Sequence, residues 1–245
     1  MKAAAKTEEL ASQRAHAAAV REMFAGIAPK YDLLNHVLSI NIDKRWRRRV
    51  KRKLETILSK GDAVVLDVAC GTGDLSLELK SHASAKVIGT DFCRPMLAIA
   101  KEKSAAASAG IPFVEGDAMR LPFPDDMFDA ATIAFGLRNL ADWEAGLFEL
   151  CRVLKPEGKL VILEFSSPAV PGLRVLFNFY FTKILPRIGG AVSGSRGAYE
   201  YLPNSVSKFP DQKGLEELMV KTGFGGVEYA NLTGGIAAIH TGTKA

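Results

Sequence analysis

Apolar runs of strand length alternate with segments of helical spacing from residue 62 onward. Buried strands are predicted by apolar runs, several rich in β-branched residues, near 63–68, 86–90, 112–115, 128–135 and 158–165. Helical spacing predicts helices near 73–80, 94–108, 142–154 and 211–222. Because strands that alternate with helices pair in parallel, we expect an α/β fold around a mostly parallel sheet. Two last strands complete seven and form an antiparallel edge, near 225–231 and 235–241.

Residues 1–60 precede this alternation and show only helical spacing. Residues 1–20 are rich in alanine and polar side chains and are expected to be frayed or helical. Two short helices are predicted over 21–38, because Pro29 interrupts the apolar spacing there. A third helix is predicted over 43–58. The sequence therefore predicts an N-terminal helical extension, 1–60, attached to one domain, 61–245.

The segment 170–209 does not follow the alternation and is predicted to be an insertion. It has helical character over 172–188, followed by a loop rich in glycine and tyrosine. The stretch 173–185 is too apolar for a freely exposed helix, so it is either core or the lining of a pocket for an apolar substrate. Its place outside the alternation favours the pocket.

The first predicted strand runs into a turn of small residues that contains Gly71, Thr72 and Gly73. Glycines there allow a sharp turn and let a ligand lie against the backbone. Asp91 ends the second predicted strand about 20 residues later, where an acid binds the ribose hydroxyls of a nucleoside. Asp117 follows the third strand, where an acid can accept a hydrogen bond from an adenine amino group. The pattern predicts a nucleoside site at the carboxyl ends of these strands.

Two neighbouring positions argue against a phosphate-bearing ligand. Ser76 stands where a dinucleotide site has a third Gly or Ala, and Asp74 begins the following helix. A carboxylate at a helix N-terminus repels phosphates but not a cationic sulfonium. The predicted cofactor is therefore S-adenosyl-L-methionine, and a nicotinamide oxidoreductase is the weaker alternative. The residues assigned to its site are Asp67, Gly71, Thr72, Gly73, Asp91, Phe92, Asp117 and Ala118.

Two of these residues have a structural alternative. Thr72 would hold the amino-acid end of the cofactor, or cap the following helix. Asp67, at the end of the first strand, would orient the turn and the cofactor ammonium, or pair with backbone amides.

Composition narrows the class of protein further. The chain has 48% hydrophobic and 24% charged residues, as in ordinary globular proteins, and no run long enough to span a membrane or to serve as a signal peptide. Its three cysteines are far apart and lack metal-ligand spacing, which predicts reduced thiols, a cytoplasmic protein and metal-free chemistry.

The net charge of +5 is unevenly spread, because residues 44–53 contain eight basic side chains. This predicted helix has three interpretations. It binds nucleic acid phosphates, or it lies on an anionic membrane with Trp46 at the interface, or its charges are solvated while its apolar stripe packs on the sheet. The stripe favours packing on one side and leaves the charges free on the other.

Four blocks of the sequence resemble the ubiquinone/menaquinone biosynthesis C-methyltransferases, a family of class I methyltransferases. The resemblance extends from about residue 22 to the C-terminus, and its most specific parts are the block beginning at Tyr31, the Leu137-Arg138-Asn139 block and the Tyr-Leu-Pro-x-Ser block. The matching blocks are 31–40 with Trp46, 135–140, 152–168 and 198–210. The resemblance implies a Rossmann-like fold and methylation of a ring carbon of a polyprenylated quinol, either a naphthoquinol or a benzoquinol.

The resemblance also implies roles for single residues. Arg138, with Asn139 beside it, would stabilise the phenolate of the substrate, and Asp117 or an activated water would take its proton. Tyr31 faces the substrate or is a packing residue. Ala134 stands where the family often has a serine that contacts the cofactor, and Glu157 replaces a glycine of the family pattern.

The expected partners follow from such a substrate. They are the quinol itself and an anionic membrane surface, which places the protein at the inner face of the membrane. A homodimer is left open. A nucleic acid methyltransferase is the alternative, but the sequence lacks an Asn-Pro-Pro-Tyr type site for base amines, so no nucleic acid partner is expected.

Overall fold

A computed structural model describes residues 2–39, 41–168, 172, 175 and 196–245. Its strands are β1 (Val64–Val68), β2 (Lys86–Asp91), β3 (Phe113–Glu115), β4 (Phe128–Ala134), β5 (Leu154–Phe165), β6 (Phe224–Leu232) and β7 (Ala237–Lys244). They form one seven-stranded sheet in the order β3-β2-β1-β4-β5-β7-β6. Strands β1 to β5 are parallel, and β7 is antiparallel to both of its neighbours. The predicted parallel sheet with an antiparallel edge is confirmed.

Helices surround this sheet on both faces. Those with α-helical geometry are α1 (Lys2–Ile27), α2 (Tyr31–Ser39), α3 (Ile42–Lys53), α4 (Glu55–Leu58), α5 (Asp74–Lys80), α6 (Arg94–Ala106), α7 (Trp143–Val153), α8 (Arg196–Lys208) and α9 (Gln212–Lys221). Short 3-10 helices occur at Ala28–Lys30, Leu137–Asn139 and Thr233–Gly235. Within the described ranges, no helix is both long and apolar enough to cross a membrane.

The core consists of two apolar layers, one on each face of the sheet. Alternate residues of a strand point to opposite faces, so Val161 and Leu163 join the layer under α3, α5 and α6. Leu160 and Ile162 join the other layer, under α7 and α9. Burial on both faces explains why the strands read as continuous apolar runs.

The N-terminal extension differs from its prediction in two places. A single helix, α1, runs to Ile27, where a shorter helix from residue 21 was expected. The interruption around Pro29 is confirmed by the 3-10 turn there. The predicted helix over 43–58 is two helices, because Leu54 leaves helical geometry at φ −113° and ψ 5° with its side chain buried in the core.

Two predictions nearer the C-terminus are also corrected. Strand β5 begins at Leu154, four residues before the predicted position 158, and its pairing with β4 is irregular between Phe128 and Ala130. The predicted loop rich in glycine and tyrosine is wrong where it is described, since α8 occupies Arg196–Lys208 and includes Pro203. The apolar stretch 173–185 lies outside the described residues apart from Val175.

Candidate active site

The order of the strands reverses at β1, and this locates the site. Strands β2 and β3 lie on one side of β1, and β4 and β5 lie on the other. Ligands of open α/β sheets bind outside the carboxyl ends of the strands at such a switch point. Both strands that meet there continue into left-handed backbone, at Ala69 (φ 51°) and Phe135 (φ 57°). Such geometry is uncommon for residues other than glycine and is concentrated at functional sites.

These two turns are packed against each other. A Cβ atom added to Gly136 would lie 2.5 Å from the Cβ of Ala69, so glycine is required for the close approach. The ends of β1 and β4 are thereby fixed relative to one another.

A pocket opens at this switch point. Two of its lining side chains are carboxylates and none is a lysine or arginine, counted over the part of the chain that the structure describes. Helix α1 contributes Ala17 and Phe24 to the wall, so the extension covers part of the pocket. Eight of the predicted site residues line it, namely Tyr31, Gly71, Asp91, Phe92, Asp117, Ala118, Ala134 and Asn139.

Asp91 anchors the glycine turn. Its Oδ2 accepts a hydrogen bond from the backbone N–H of Gly71 and its Oδ1 accepts one from that of Cys93, both at 2.8 Å. Burial raises the pKa of this carboxyl, and the backbone amides oppose the rise. Asp91 therefore joins β1 to β2 while facing the pocket.

Three predicted cofactor residues do not line the pocket. Asp67 is buried beneath the turn, where it accepts hydrogen bonds from the hydroxyls of Ser76 (2.5 Å) and Thr132 (2.9 Å). Burial raises the pKa of Asp67 to about 6. Gly73, at φ 81°, is the N-cap of α5, so the alternative in which Thr72 caps this helix is wrong. The hydroxyl of Thr72 instead donates to Oδ1 of Asp32 in α2, at 2.5 Å.

The charge of Asp74 is balanced by two cations. Its carboxylate pairs with Arg47 of α3 at 3.0 Å and with Lys103 of α6. The predicted repulsion of phosphates by Asp74 is weakened by this pairing. The two carboxylates of the pocket lining are the stronger argument for a cationic ligand. Arg21 lies beside this lining, with its guanidinium 5.3 Å from the centroid of the Phe92 ring.

Arg138 lies beside the pocket and is not part of its lining. Its Nη1 donates hydrogen bonds to Oε1 of Glu164 and to the carbonyl of Phe135, both at 2.6 Å. The Asn139 amide donates to the same carbonyl at 3.1 Å. Burial raises the pKa of Glu164, and the charge of Arg138 opposes the rise. Sequence reasoning missed Glu164, although an acid at the carboxyl end of β5 is a signal of the kind used for Asp91.

Two tyrosines lie within the electrostatic reach of Arg138. Burial raises the pKa of Tyr31 and of Tyr201, and the positive charge of Arg138 opposes both rises. Tyr31 lines the pocket and also packs edge-on against Phe24, with ring centroids 6.0 Å apart. The two predicted interpretations of Tyr31 are therefore compatible.

Asp117 occupies an exposed position at the rim of the pocket. Its Oδ1 accepts a hydrogen bond from the backbone N–H of Met119 at 2.9 Å. Solvent reaches this carboxylate directly, in contrast to Asp91.

The basic helix α3 packs its apolar stripe on the sheet, as one interpretation predicted. Trp46 is only 6% exposed and its indole N–H donates to the hydroxyl of Thr233 at 3.1 Å. The alternative interpretation that placed Trp46 at a membrane interface is therefore wrong. Arg47, Lys51 and Lys53 have partners in Asp74, Ser81 and Glu228. Five exposed cations have no ion-pair partner among the described residues: Lys44, Arg45, Arg48, Arg49 and Arg52.

The model of the ubiE/COQ5 methyltransferase family matches residues 9–244. The demethylmenaquinone methyltransferase of Thermus thermophilus is 51% identical over 223 residues, which cover 91% of this chain and 100% of that protein. A ubiquinone/menaquinone biosynthesis C-methyltransferase of Citrifermentans bemidjiense is 47% identical over 92% of this chain and 96% of its own.

Solved structures support the fold. A Thermotoga maritima protein described as an S-adenosylmethionine-dependent methyltransferase, possibly a histamine N-methyltransferase, superposes with a TM-score of 0.64. The two chains are 20% identical, and the match covers 91% of this chain and 99% of that one. At this identity the likeness concerns architecture alone.

Proposed function

The chain belongs to the ubiE/COQ5 methyltransferase family, and we propose that it methylates a ring carbon of a polyprenylated quinol. The cofactor is S-adenosyl-L-methionine, which supplies the methyl group from its sulfonium. Demethylmenaquinol is the first candidate substrate, because two relatives that are 51% and 50% identical to this chain are named demethylmenaquinone methyltransferase. The benzoquinol step of ubiquinone synthesis is the second, because other relatives carry both names.

The observation that carries the cofactor assignment is the acidic lining of the pocket. Asp91 and Asp117 are its charged members, and it contains no lysine or arginine among the described residues. Two carboxylates in the lining suit a cationic nucleoside better than a pyrophosphate. The guanidinium of Arg21, 5.3 Å from the centroid of the Phe92 ring, lies outside this lining. Asp91 is held by two backbone amides at 2.8 Å, which supports its role as the acceptor for ribose hydroxyls.

The substrate side is proposed to rest on Arg138 and Tyr31. A ring carbon becomes a good nucleophile when the neighbouring hydroxyl loses its proton, and a phenol has a pKa of about 10. A buried guanidinium beside the pocket lowers this pKa by stabilising the phenolate. Tyr31 lies between the glycine turn and Phe24. In this proposal it positions the quinol ring of the substrate over the cofactor site.

The proton acceptor is proposed to be Asp117, directly or through water. Its exposure supports the water-mediated route, since solvent water reaches a carboxylate at the rim. Holding both reactants in contact contributes up to about 7–11 kcal/mol in favourable cases.

A direct test measures methyl transfer by purified protein. Labelled S-adenosylmethionine is incubated with demethylmenaquinol, with a benzoquinol that lacks the ring methyl group, and with RNA and DNA. Labelled naphthoquinol or benzoquinol is the expected product. Transfer only to nucleic acid, together with a gel shift that weakens steeply with salt, would refute the proposal.

The five exposed cations of α3 support peripheral binding to an anionic membrane. Each basic residue near such a surface contributes about 1 kcal/mol, and the attraction is screened by salt. The proposed substrate carries a prenyl tail, so an enzyme at the inner face of the membrane reaches it there. Nucleic acid phosphates would satisfy the same cations, which is why both surfaces are tested.

Vesicle binding tests whether the cations of α3 form a membrane-binding surface or act only through the net charge of the protein. Replacement by Gln of Arg45, Arg48, Arg49 and Arg52 is expected to reduce binding to anionic vesicles and activity on long-tailed quinol, with little effect on a short-tailed quinol. Arg47 and Lys51 are kept, because their contacts with Asp74 and Ser81 hold the fold. The matched control replaces four exposed lysines elsewhere by Gln: Lys86, Lys101, Lys208 and Lys213. Equal losses in both variants would show that only net charge matters.

A further inference from the structure

The buried ion pair Arg138–Glu164 spans the carboxyl ends of two neighbouring strands. Glu164 belongs to β5 and is 2% exposed, while Arg138 follows β4 and is 9% exposed. Their charged atoms are 2.6 Å apart. Desolvation offsets much of the attraction in a buried pair, so stability alone is a weak reason for its presence.

The guanidinium of Arg138 is only partly satisfied. Nη1 has two N–H groups, and they are directed to Glu164 and to the Phe135 carbonyl. The buried Nε has no hydrogen-bond partner among the described residues. A buried N–H without an acceptor is costly, so the orphaned Nε is a donor that a ligand oxygen would satisfy.

Glu164 is fixed from several directions. Oε1 accepts a second hydrogen bond from the backbone N–H of Phe165 at 2.8 Å, and Oε2 faces the backbone N–H of Arg138 at 3.3 Å. The carboxylate is therefore tied both to its own strand and to the turn after β4. These contacts have two effects on the site: they tie the turn after β4 to β5, and they orient the guanidinium of Arg138. The ring of Phe165, with its centroid 5.3 Å from Cζ of Arg138, contributes to the same orientation.

We propose that Glu164 is a positioning residue that orients Arg138 so that its Nε donates to the aromatic oxyanion of the substrate. This inference rests on the proposed function, because it deepens the role of Arg138 in phenolate stabilisation. Glu164 itself does not contact the substrate. Its removal lets the guanidinium turn, and the oxyanion loses a directed donor.

A double-mutant cycle tests whether Glu164 acts through Arg138. Glu164→Gln is expected to lower kcat by about 10–100-fold while the affinity for S-adenosylmethionine stays within about twofold. In an Arg138→Met background, adding Glu164→Gln is expected to change kcat by less than about twofold. The same fold-loss in both backgrounds would overturn the inference, as would a kcat of Glu164→Gln close to wild type.

Two further variants test whether a loss of kcat comes from misfolding. Glu164→Asp keeps the charge but shortens the side chain, so it is expected to retain the fold and lose kcat. The double variant buries no unpaired charge and serves as the second folded reference. A loss of S-adenosylmethionine affinity in parallel with kcat in Glu164→Asp would indicate a merely structural role and refute the inference.

A probe that needs no turnover distinguishes the two proposals. The anion of 4-nitro-1-naphthol absorbs visible light, so its binding is measured directly. Wild type is expected to bind it about 10-fold more tightly than Glu164→Gln or Arg138→Met. If wild type methylates no quinol, the proposed function fails, yet this probe still decides on Glu164. Equal binding by all three proteins refutes the inference even when quinol methylation is observed.

Discussion

The two halves of the active site are held by different kinds of partner. On the cofactor side, Asp91 is bonded to the backbone amides of Gly71 and Cys93. On the substrate side, Arg138 is bonded to the side chain of Glu164 as well as to a carbonyl. Backbone partners keep their positions when side chains change, whereas a charge pair depends on both members. We therefore expect substitutions to have graded effects on the cofactor side and abrupt ones on the substrate side.

The largest expected effect is on the substrate side. Arg138→Met should lower kcat for quinol methylation by about 10²–10³-fold, because the phenolate loses its charged donor. Calorimetry should show S-adenosylmethionine affinity within about twofold of wild type. A parallel loss of cofactor affinity would show that the two halves are not separable.

A buried carboxylate without a guanidinium partner distinguishes the cofactor side. Burial raises the pKa of Asp67 from 3.8 to about 6, so the folded state holds its proton more tightly than the unfolded state does. The associated stability is present below the unfolded pKa and is lost as pH rises from about 4 to about 6. Asn does not titrate, so Asp67→Asn avoids this loss. The unfolding free energy of the variant minus that of wild type should therefore rise by up to about 3 kcal/mol between pH 4 and pH 7.

Urea denaturation at both pH values measures this difference. Hydrogen bonds lost in the variant shift its stability at both pH values alike, so the change between them isolates the titration. A difference that is constant with pH would mean that Asp67 ionises normally in the fold.

Asp91→Asn sharpens the comparison on the cofactor side. The amide keeps the shape of the side chain but removes the charge, so S-adenosylmethionine binding should weaken by about 1–3 kcal/mol. Asp62→Asn, an exposed acid before β1, is the control and should bind normally. Unchanged affinity in Asp91→Asn would show that this acid only holds the glycine turn.

The smallest effect is expected where the extension meets the glycine turn. Asp32 accepts the hydroxyl of Thr72 and pairs with Lys103 at 2.8 Å, with both charged side chains partly exposed. Asp32→Asn should lower the unfolding free energy by about 0.5–1 kcal/mol at low salt and less at high salt. Glu144→Gln, which breaks an exposed pair with Lys221, should have almost no effect. Equal losses of unfolding free energy in the two variants would show that the Asp32 contacts stabilise the protein no more than an exposed ion pair does.

The sequence predicted what depends on local pattern. Strand positions and the parallel sheet followed from apolar runs, because burial on both faces leaves a continuous signal. The acid at Asp91 was found because its spacing from the glycine turn is fixed by the fold. Glu164 was missed because its role depends on Arg138, which is 26 residues away in the chain.

The failures have the same physical origin. One interpretation of the basic helix placed Trp46 at a membrane interface, but this side chain is buried beside Phe135 and Phe165, at the ends of β4 and β5. The charge of Asp74 was treated as unpaired because Arg47 and Lys103 are brought to it only by the fold. Tertiary contacts of this kind leave no local periodicity.

The position of β7 in the sheet has a consequence for synthesis on the ribosome. This strand lies between β5 and β6, so both of its neighbours emerge before it does. At about 5–20 residues per second, the interval between the end of β5 and the end of β7 lasts roughly 4–16 s. During that time β5 exposes an unpaired edge, which is where a nascent chain is most prone to wrong pairing. Chaperone dependence should therefore be greatest just before residues 237–244 are made.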